Sequence, residues 1–262
     1  MPSAKMISRT QDGVAWMIFN NPERHNAISL EMWEAALEIM QGFAADPSVR
    51  VMVLTGSGGK AFASGADISK FKDERQEAAA VAHYQMLTQK AYETLQAMPI
   101  PTIAMVRGYC IGGGTAVAVC CDLRICTENA KFGVPAAKLG LGYGLNRATP
   151  LVDLVGPAFA KEMFFTGRQF DAREAERMGL VNRVVADDQL ESTVEEMART
   201  IAANAPLTVR CAKLVVGEVL KDASRRDVPA TERAIEACFK SNDYREGQAA
   251  FMEKRKPKFT GT

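Results

Sequence analysis

The sequence predicts an α/β fold, because strand-like and helix-like hydrophobic patterns alternate along its first two-thirds. Near the start, residues 5–10 and 15–19 flank Gln11-Asp12-Gly13, and an Asp-Gly pair readily supplies the positive φ that a hairpin turn needs. Two apolar runs, at residues 49–54 and 102–106, have the composition of buried strands, and a glycine-rich turn follows each of them.

Helix patterns occupy the segments between these strands. The first helix places six apolar residues on one face: Met32, Trp33, Ala36, Leu37, Met40 and Phe43. A longer polar helix is predicted at about residues 74–97 and ends at Met98-Pro99-Ile100-Pro101, because proline does not continue a helix. A glycine run, a helix of small residues and a strand at 123–126 come next. Beyond Pro157 strand patterns nearly vanish, apart from residues 180–185.

The end of the chain has a different character. Its last sixty residues predict three helices, separated by Asn204-Ala205-Pro206 and Asp227-Val228-Pro229. We therefore divide the chain into a core at residues 1–200 and a C-terminal helical region at residues 201–262.

Composition excludes several classes of function. The 262 residues include 32 basic and 31 acidic side chains, and a net charge of +1 gives no electrostatic reason to expect nucleic acid or an anionic membrane as a partner. No clean apolar run approaches the roughly 20 residues of a membrane-spanning helix, and the polar N-terminus does not resemble a signal peptide. Six cysteines without a CxxC pair, and only two histidines, predict a cytoplasmic protein without a metal site.

Two glycine-rich segments carry the chemistry. One is Ser64-Gly65-Ala66-Asp67, and the other is Gly112-Gly113-Gly114 at the start of the small-residue helix. A triple glycine that opens a helix exposes backbone N–H groups at the positive end of the helix dipole. If the Ala66 N–H converges on the same point, the pair forms an oxyanion hole. Each segment taken alone is equally compatible with a tight turn, so neither predicts a function by itself.

Together with other blocks in the same order, these segments resemble the enoyl-CoA hydratase/isomerase superfamily, also called crotonases. The resemblance runs nearly end to end and includes these blocks: 21–28, 53–56, 66–68, 112–122, 165–167, 179–181 and 251–257. It implies a spiral of ββα repeats with a C-terminal helical region that assembles a homotrimer or a homohexamer (a dimer of trimers). It also implies an acyl-CoA thioester as substrate and no separate cofactor, because CoA arrives with the acyl group.

The resemblance also implies roles for particular residues. The oxyanion donors correspond to the backbone N–H groups of Ala66 and Gly113. Four consecutive residues are expected along the CoA: Ala66, Asp67, Ile68 and Ser69. Three more are expected near its pantetheine and phosphates: Arg24, Asn26 and Ala27. Phe251 and Lys254 match positions that reach the CoA of a neighbouring subunit, although Lys254 fits a solvated basic face equally well.

The sequence departs from the family where hydratases have two glutamates. Ala116 stands at the first position and Ala136 at the second. A positioned acid or base typically contributes about 10²–10⁴-fold to a rate, so we do not expect efficient hydration by the usual mechanism. Gly144 stands where some isomerising relatives have an aspartate.

Tyr143, between two glycines, resembles a tyrosine of methylmalonyl-CoA decarboxylases that addresses the substrate carboxylate; packing at a subunit contact is the alternative explanation. Three hypotheses follow. The protein is an unorthodox hydratase or isomerase, a lyase that decarboxylates a malonyl-type CoA ester, or a CoA-ester-binding protein that has lost its chemistry.

Overall fold

A computed structural model describes residues 4–67 and 78–262. Ten strands lie in this part of the chain: β1 (Met6–Gln11), β2 (Val14–Phe19), β3 (Val51–Gly56), β4 (Ala61–Ala63), β5 (Thr102–Val106), β6 (Tyr109–Ile111), β7 (Leu123–Thr127), β8 (Lys131–Gly133), β9 (Phe170–Asp171) and β10 (Arg183–Val185). The same residues form nine α-helices: α1 (Leu30–Ala45), α2 (Ala78–Gln96), α3 (Gly113–Cys120), α4 (Leu145–Thr166), α5 (Ala172–Arg177), α6 (Leu190–Ala203), α7 (Pro206–Val219), α8 (Val228–Lys240) and α9 (Asn242–Met252).

The strands form two sheets. The larger has the order β1-β2-β3-β5-β7-β10, and all its pairings are parallel except the β1–β2 hairpin. The predicted hairpin turn is confirmed, because Asp12 and Gly13 have φ values of 51° and 77°. The smaller sheet has the order β4-β6-β8-β9 and is parallel apart from β8–β9.

Three successive ββα units build the spiral that the family resemblance implies: β3-β4-α2, β5-β6-α3 and β7-β8-α4. In each unit the first strand joins the larger sheet and the second strand joins the smaller one. Each crossover therefore sets one unit beside the previous one. This arrangement brings the loop after β4 next to the start of α3, where the two glycine-rich segments lie.

The apolar patterns explain the packing of these layers. The predicted face of α1 is buried in the main core, with Phe43 packed at its edge. A second apolar cluster lies on the other side of the larger sheet, where Leu190, Val194 and Ala198 of α6 pack against strand residues such as Val53 and Ile103. Strands β3 and β5 are buried on both faces, which is why their sequences are almost wholly apolar.

Three helices lie in the last sixty residues, as expected: α7, α8 and α9. The predicted breaks separate α6 from α7 and α7 from α8, whereas the break between α8 and α9 at Ser241 was not predicted. Two contacts tie this region to the core. The Lys213 ammonium lies 2.7 Å from the Asp122 carboxylate, and the Arg50 guanidinium donates to the Thr260 carbonyl at 2.9 Å. No helix in the described part of the chain is long and apolar enough to cross a membrane.

Other expectations need adjustment. The described part of the predicted 74–97 helix is α2, which begins at Ala78, and residues 74–77 lie outside the described residues. The strand expected at 180–185 is shorter, because the Leu180 N–H closes the end of α5 by donating to the Ala175 carbonyl at 2.8 Å.

Candidate active site

Ala66 lies just beyond β4, after a glycine in the left-handed region. Gly65 has a φ of 98°, and its carbonyl accepts a hydrogen bond from the Ile28 N–H at 2.8 Å. The Asp67 N–H in turn donates to the Ile28 carbonyl at 3.1 Å, so these bonds hold the residues on both sides of Ala66. The Ala66 N–H shares a peptide group with the Gly65 carbonyl, and because the two ends of a trans peptide point in opposite directions, this N–H faces away from Ile28. It donates to no acceptor among the described residues.

Gly113 is the first residue of α3. The turn before it requires glycine, because Gly112 has a φ of 57° and a ψ of −114°, and its N–H donates to the Gly133 carbonyl at 2.7 Å. The first N–H groups of a helix have no partner within the helix. In the described part of the chain the Gly113 N–H has no acceptor outside the helix either.

The two N–H groups lie on backbone segments in direct contact. A β-carbon added at Gly65 would lie 3.4 Å from the Gly113 nitrogen, and one added at Gly113 would lie 3.7 Å from the Ala66 nitrogen. Gly114 is even more tightly enclosed, because its β-carbon would lie 2.1 Å from the Ala63 carbonyl oxygen. Glycine at these positions is what allows the strand end and the helix start to approach.

This arrangement can bind an oxygen that carries negative charge. Both donors are fixed by the fold, and one lies at the positive end of α3. The neighbouring Thr115 hydroxyl is already engaged, since it lies 2.6 Å from the Cys110 carbonyl oxygen and 3.1 Å from that of Gly133. Two surface clefts of about 270 and 690 Å³ lie elsewhere, beside β1 and beside the C-terminus, and neither touches the donors.

The family model described as enoyl-CoA hydratase/isomerase matches residues 9–262. The chain belongs to this family, the crotonase superfamily. It is 36% identical to the crotonyl-CoA hydratase of Syntrophomonas wolfei over 262 residues, which cover 99% of both proteins. It is 33% identical to the short-chain-enoyl-CoA hydratase of Clostridium acetobutylicum over 251 residues, 96% of this chain and 95% of that protein.

Solved structures agree with this assignment. The crystal structure of an enoyl-CoA hydratase/carnithine racemase from Magnetospirillum magneticum is 38% identical, with a TM-score of 0.93 over 98% of this chain and 96% of that chain. An enoyl-CoA hydratase from Bacillus anthracis is 32% identical, with a TM-score of 0.92 over 98% of this chain and all of the other. The crotonase fold predicted from the sequence is therefore confirmed.

The family resemblance places Ala116 and Ala136 at the positions of the two hydratase glutamates. Ala116 lies one turn into α3 and is 2% exposed, with apolar neighbours. Ala136 lies in the 3-10 turn Pro135–Leu139, half-buried against the main core. Pro135 is close to the donors, because its Cδ lies 4.0 Å from the position of a β-carbon on Gly112. Ala116 thus lies on the helix that Gly113 begins, and Ala136 follows a residue that is close to the donor segment.

Tyr143 is half-buried in the loop before α4. Its ring lies 4.9 Å from that of Phe164, and the Arg147 guanidinium lies over it, 5.0 Å from the ring centre. Burial raises the pKa of the Tyr143 hydroxyl to about 12, against an opposing effect of Arg147. Tyr143 therefore stays protonated at neutral pH and can donate a hydrogen bond or a proton.

The residues expected near the CoA form two groups. Arg24 is more than half exposed, and its guanidinium lies 3.4 Å from the buried Asp67 carboxylate. The Asn26 side chain is fully buried, accepts from the Asn21 N–H at 2.9 Å, and donates to the carbonyls of Ser57 and Ala61 at 3.0 and 2.7 Å. Asn26 thus holds the loop before α1 against β4, a structural role that its motif did not reveal.

The other predicted CoA positions are dispersed. Ala27 is buried beside Asn26. Ile68 and Ser69 lie outside the described residues. Phe251 is 82% exposed at the end of α9, and Lys254 is exposed just beyond it. Within the described residues, no hydrogen bond joins either of them to the donor segments of the same chain. Their predicted contact with the CoA of a neighbouring subunit stays a prediction.

Proposed function

We propose that this crotonase binds an acyl-CoA thioester and stabilises an enolate-like oxyanion at the thioester carbonyl with the Ala66 and Gly113 N–H groups. The observation that carries this proposal is the pair of adjacent backbone donors without acceptors, one of them at the start of a helix. Because the fold holds both donors in place, they need no reorganisation as charge develops on the oxygen. Removal of one such donor typically raises the barrier by about 2.7–4 kcal/mol.

The reaction is that of a lyase or an isomerase that uses no carboxylate at positions 116 and 136. Hydration of an enoyl thioester needs a base to activate water and an acid to protonate the α-carbon. The buried methyl groups of Ala116 and Ala136 supply neither. Hydration is the first candidate reaction, because the relatives are named as enoyl-CoA hydratases. In this chain, Tyr143 and bound water would then have to transfer the protons.

Decarboxylation of a malonyl-type thioester is the second candidate, and the apolar surroundings of the donors favour it. The bond between the α-carbon and the carboxylate breaks, its electron pair forms the enolate, and carbon dioxide leaves. The two N–H groups then hold the enolate oxygen until water or the Tyr143 hydroxyl protonates the α-carbon. No enzyme carboxylate is required, and one beside the substrate anion would hinder its binding.

The proposed CoA site uses the exposed Arg24 guanidinium for the phosphates, with Ala27 and the backbone after Ala66 along the pantetheine. Phe251 and Lys254 complete it from a neighbouring subunit of a homotrimer or homohexamer. Their exposure in the single chain is what such a role requires.

Mass spectrometry tests these functions directly. The purified protein is incubated with crotonyl-CoA and methylmalonyl-CoA together, and both thioesters are followed in time. A gain of water on the crotonyl ester identifies a hydratase, and loss of carbon dioxide with crotonyl-CoA untouched identifies a decarboxylase. Binding of thioesters without turnover of these or longer acyl groups identifies a protein that only binds them, and contradicts the catalytic proposal.

A further inference from the structure

Hydrogen-bond donors that have no acceptor among the described residues lie towards the C-terminal end of α3, at Cys120. Arg147 is half-buried, with its guanidinium stacked over the Tyr143 ring. In the part of the chain that the structure describes, no carboxylate lies within ion-pair distance of this guanidinium, and it donates no hydrogen bond. An arginine keeps its charge in proteins, so its partial burial without an acid leaves a cation that favours an anionic partner.

Tyr92 of α2 provides an independent observation. It is only 3% exposed, yet its hydroxyl forms no hydrogen bond with any described residue. Burial, together with the nearby Tyr143 and Tyr84 hydroxyls, raises the pKa of Tyr92 well above its usual value, whereas Arg147 lowers it. Helix α3 packs against both α2, which carries Tyr92, and α4, which carries Arg147.

A third donor lies behind Tyr92. The Trp33 and Tyr92 rings meet edge to face, with 5.3 Å between their centres, and the buried Trp33 indole N–H has no hydrogen-bond partner among the described residues. A buried donor without a partner costs about 1–3 kcal/mol. Arg147 and the Tyr92 hydroxyl, which have no acceptor among the described residues, are donors that an acceptor-rich ligand would satisfy.

The group lies on the same helix as the oxyanion donors. Tyr92 and Tyr143 both interact electrostatically with the thiol of Cys120, the last residue of α3, whose first residue is Gly113. Two helical turns separate these ends, a distance of about 10 Å. Ala116 and Cys120 are four residues apart and share one helix face, which connects the two ends of α3.

We propose that the acyl group of the substrate ends in a carboxylate, which Arg147 and the Tyr92 hydroxyl bind while the Tyr143 ring orients the guanidinium. The substrates would then be CoA monothioesters of dicarboxylic acids. This inference rests on the proposed function and specifies its substrate class. An extended chain advances about 1.3 Å per bond, so about eight bonds cover the path of about 10 Å.

Titration calorimetry with two matched series of thioesters tests this proposal. The anionic series is succinyl-, glutaryl-, adipyl- and suberyl-CoA, and the neutral series has the same chain lengths and ends in a methyl group. We expect the anionic thioester to bind at least tenfold more tightly at one of the longer lengths, which corresponds to about 1.4 kcal/mol. Arg147→Gln should abolish this preference while neutral thioesters bind within twofold of the wild type.

Three further variants separate a ligand contact from a structural role. Arg147→Lys keeps the charge and should retain part of the preference, and Tyr92→Phe should reduce it without changing the binding of neutral thioesters. Arg173→Gln, which alters an exposed arginine of α5, should leave both series unchanged. Circular dichroism confirms that each variant is folded.

Two results would overturn the inference. One is neutral thioesters that bind as tightly as anionic ones at every length, and the other is an Arg147→Gln variant that weakens both series equally or changes only the oligomeric state. The proposed function would survive either result, because neutral thioesters would still bind to the wild type. If the folded wild type binds neither series, the proposed function fails and this inference fails with it.

Discussion

Replacing Gly113 with proline removes one proposed oxyanion donor while keeping the helix. Gly113 is the first residue of α3, a position that proline tolerates because the N–H there has no helical partner. The added β-carbon would lie 3.5 Å from the Gly65 Cα and 3.7 Å from the Ala66 nitrogen, both ordinary contacts. The fold should therefore persist, and the loss is that of the hydrogen bond to the substrate oxygen, together with the space that the proline Cδ takes where the N–H hydrogen was.

The expected magnitude follows from that one bond. The Ala66 N–H remains, so activity should fall without disappearing, by about 10²–10³-fold in kcat or about 2.7–4 kcal/mol in the barrier. Gly113→Ala is the matched control, because it adds the same β-carbon and keeps the N–H. The assay compares kcat and KM of both variants on the thioester that the wild type consumes, with thermal melting to verify folding.

Equal losses in the proline and alanine variants would show that the β-carbon, and not the missing donor, is responsible. A folded Gly113→Pro variant with wild-type kcat would refute the oxyanion role of this residue.

Three other predictions concern the glycines, Tyr143 and the missing carboxylates. Gly114→Ala should lower the free energy of unfolding by at least about 1–3 kcal/mol, because the added β-carbon would lie 2.1 Å from the Ala63 carbonyl oxygen. Gly113→Ala should melt close to the wild type. Equal melting temperatures for the two variants would contradict the close approach at Gly114. If the protein is a decarboxylase, Tyr143→Phe should slow the reaction. The wild-type rate should not fall through Tyr143 deprotonation between pH 7 and 10, because a raised pKa of about 12 keeps the hydroxyl protonated there. A fall in the rate at alkaline pH that Tyr143→Phe abolishes would refute this. Ala136→Glu should raise hydration of crotonyl-CoA by ~10-fold or more, since a positioned base typically contributes 10²–10⁴-fold, and an unchanged rate would show that position 136 does not face the reacting carbon.

The glycine turns that precede the two proposed donors could be predicted from the sequence because their geometry is local. Positive φ at Gly65 and Gly112 follows from residue type and turn context, and the order of the motifs placed the two segments in one site. The hairpin at Asp12 and Gly13 was predictable for the same reason. Strands β4, β6 and β8 were not, because three residues are too few to show a hydrophobic period.

Features that depend on packing between distant segments could not be predicted from the sequence. Asn26 lies in a motif that suggests ligand contact, but its side chain is occupied by carbonyls of residues 57 and 61. The donors around Arg147 come from α1, α2 and α4, and nothing in the local sequence of Tyr92 distinguishes it from an ordinary core aromatic. Only the tertiary arrangement shows that its hydroxyl lacks an acceptor.

A crystal structure with a bound thioester tests the central claim most directly. We expect the thioester carbonyl oxygen to lie roughly 2.7–3.1 Å from both the Ala66 and the Gly113 nitrogens, with the acyl chain running along α3 past Ala116. A thioester whose carbonyl oxygen contacts neither nitrogen would contradict the account.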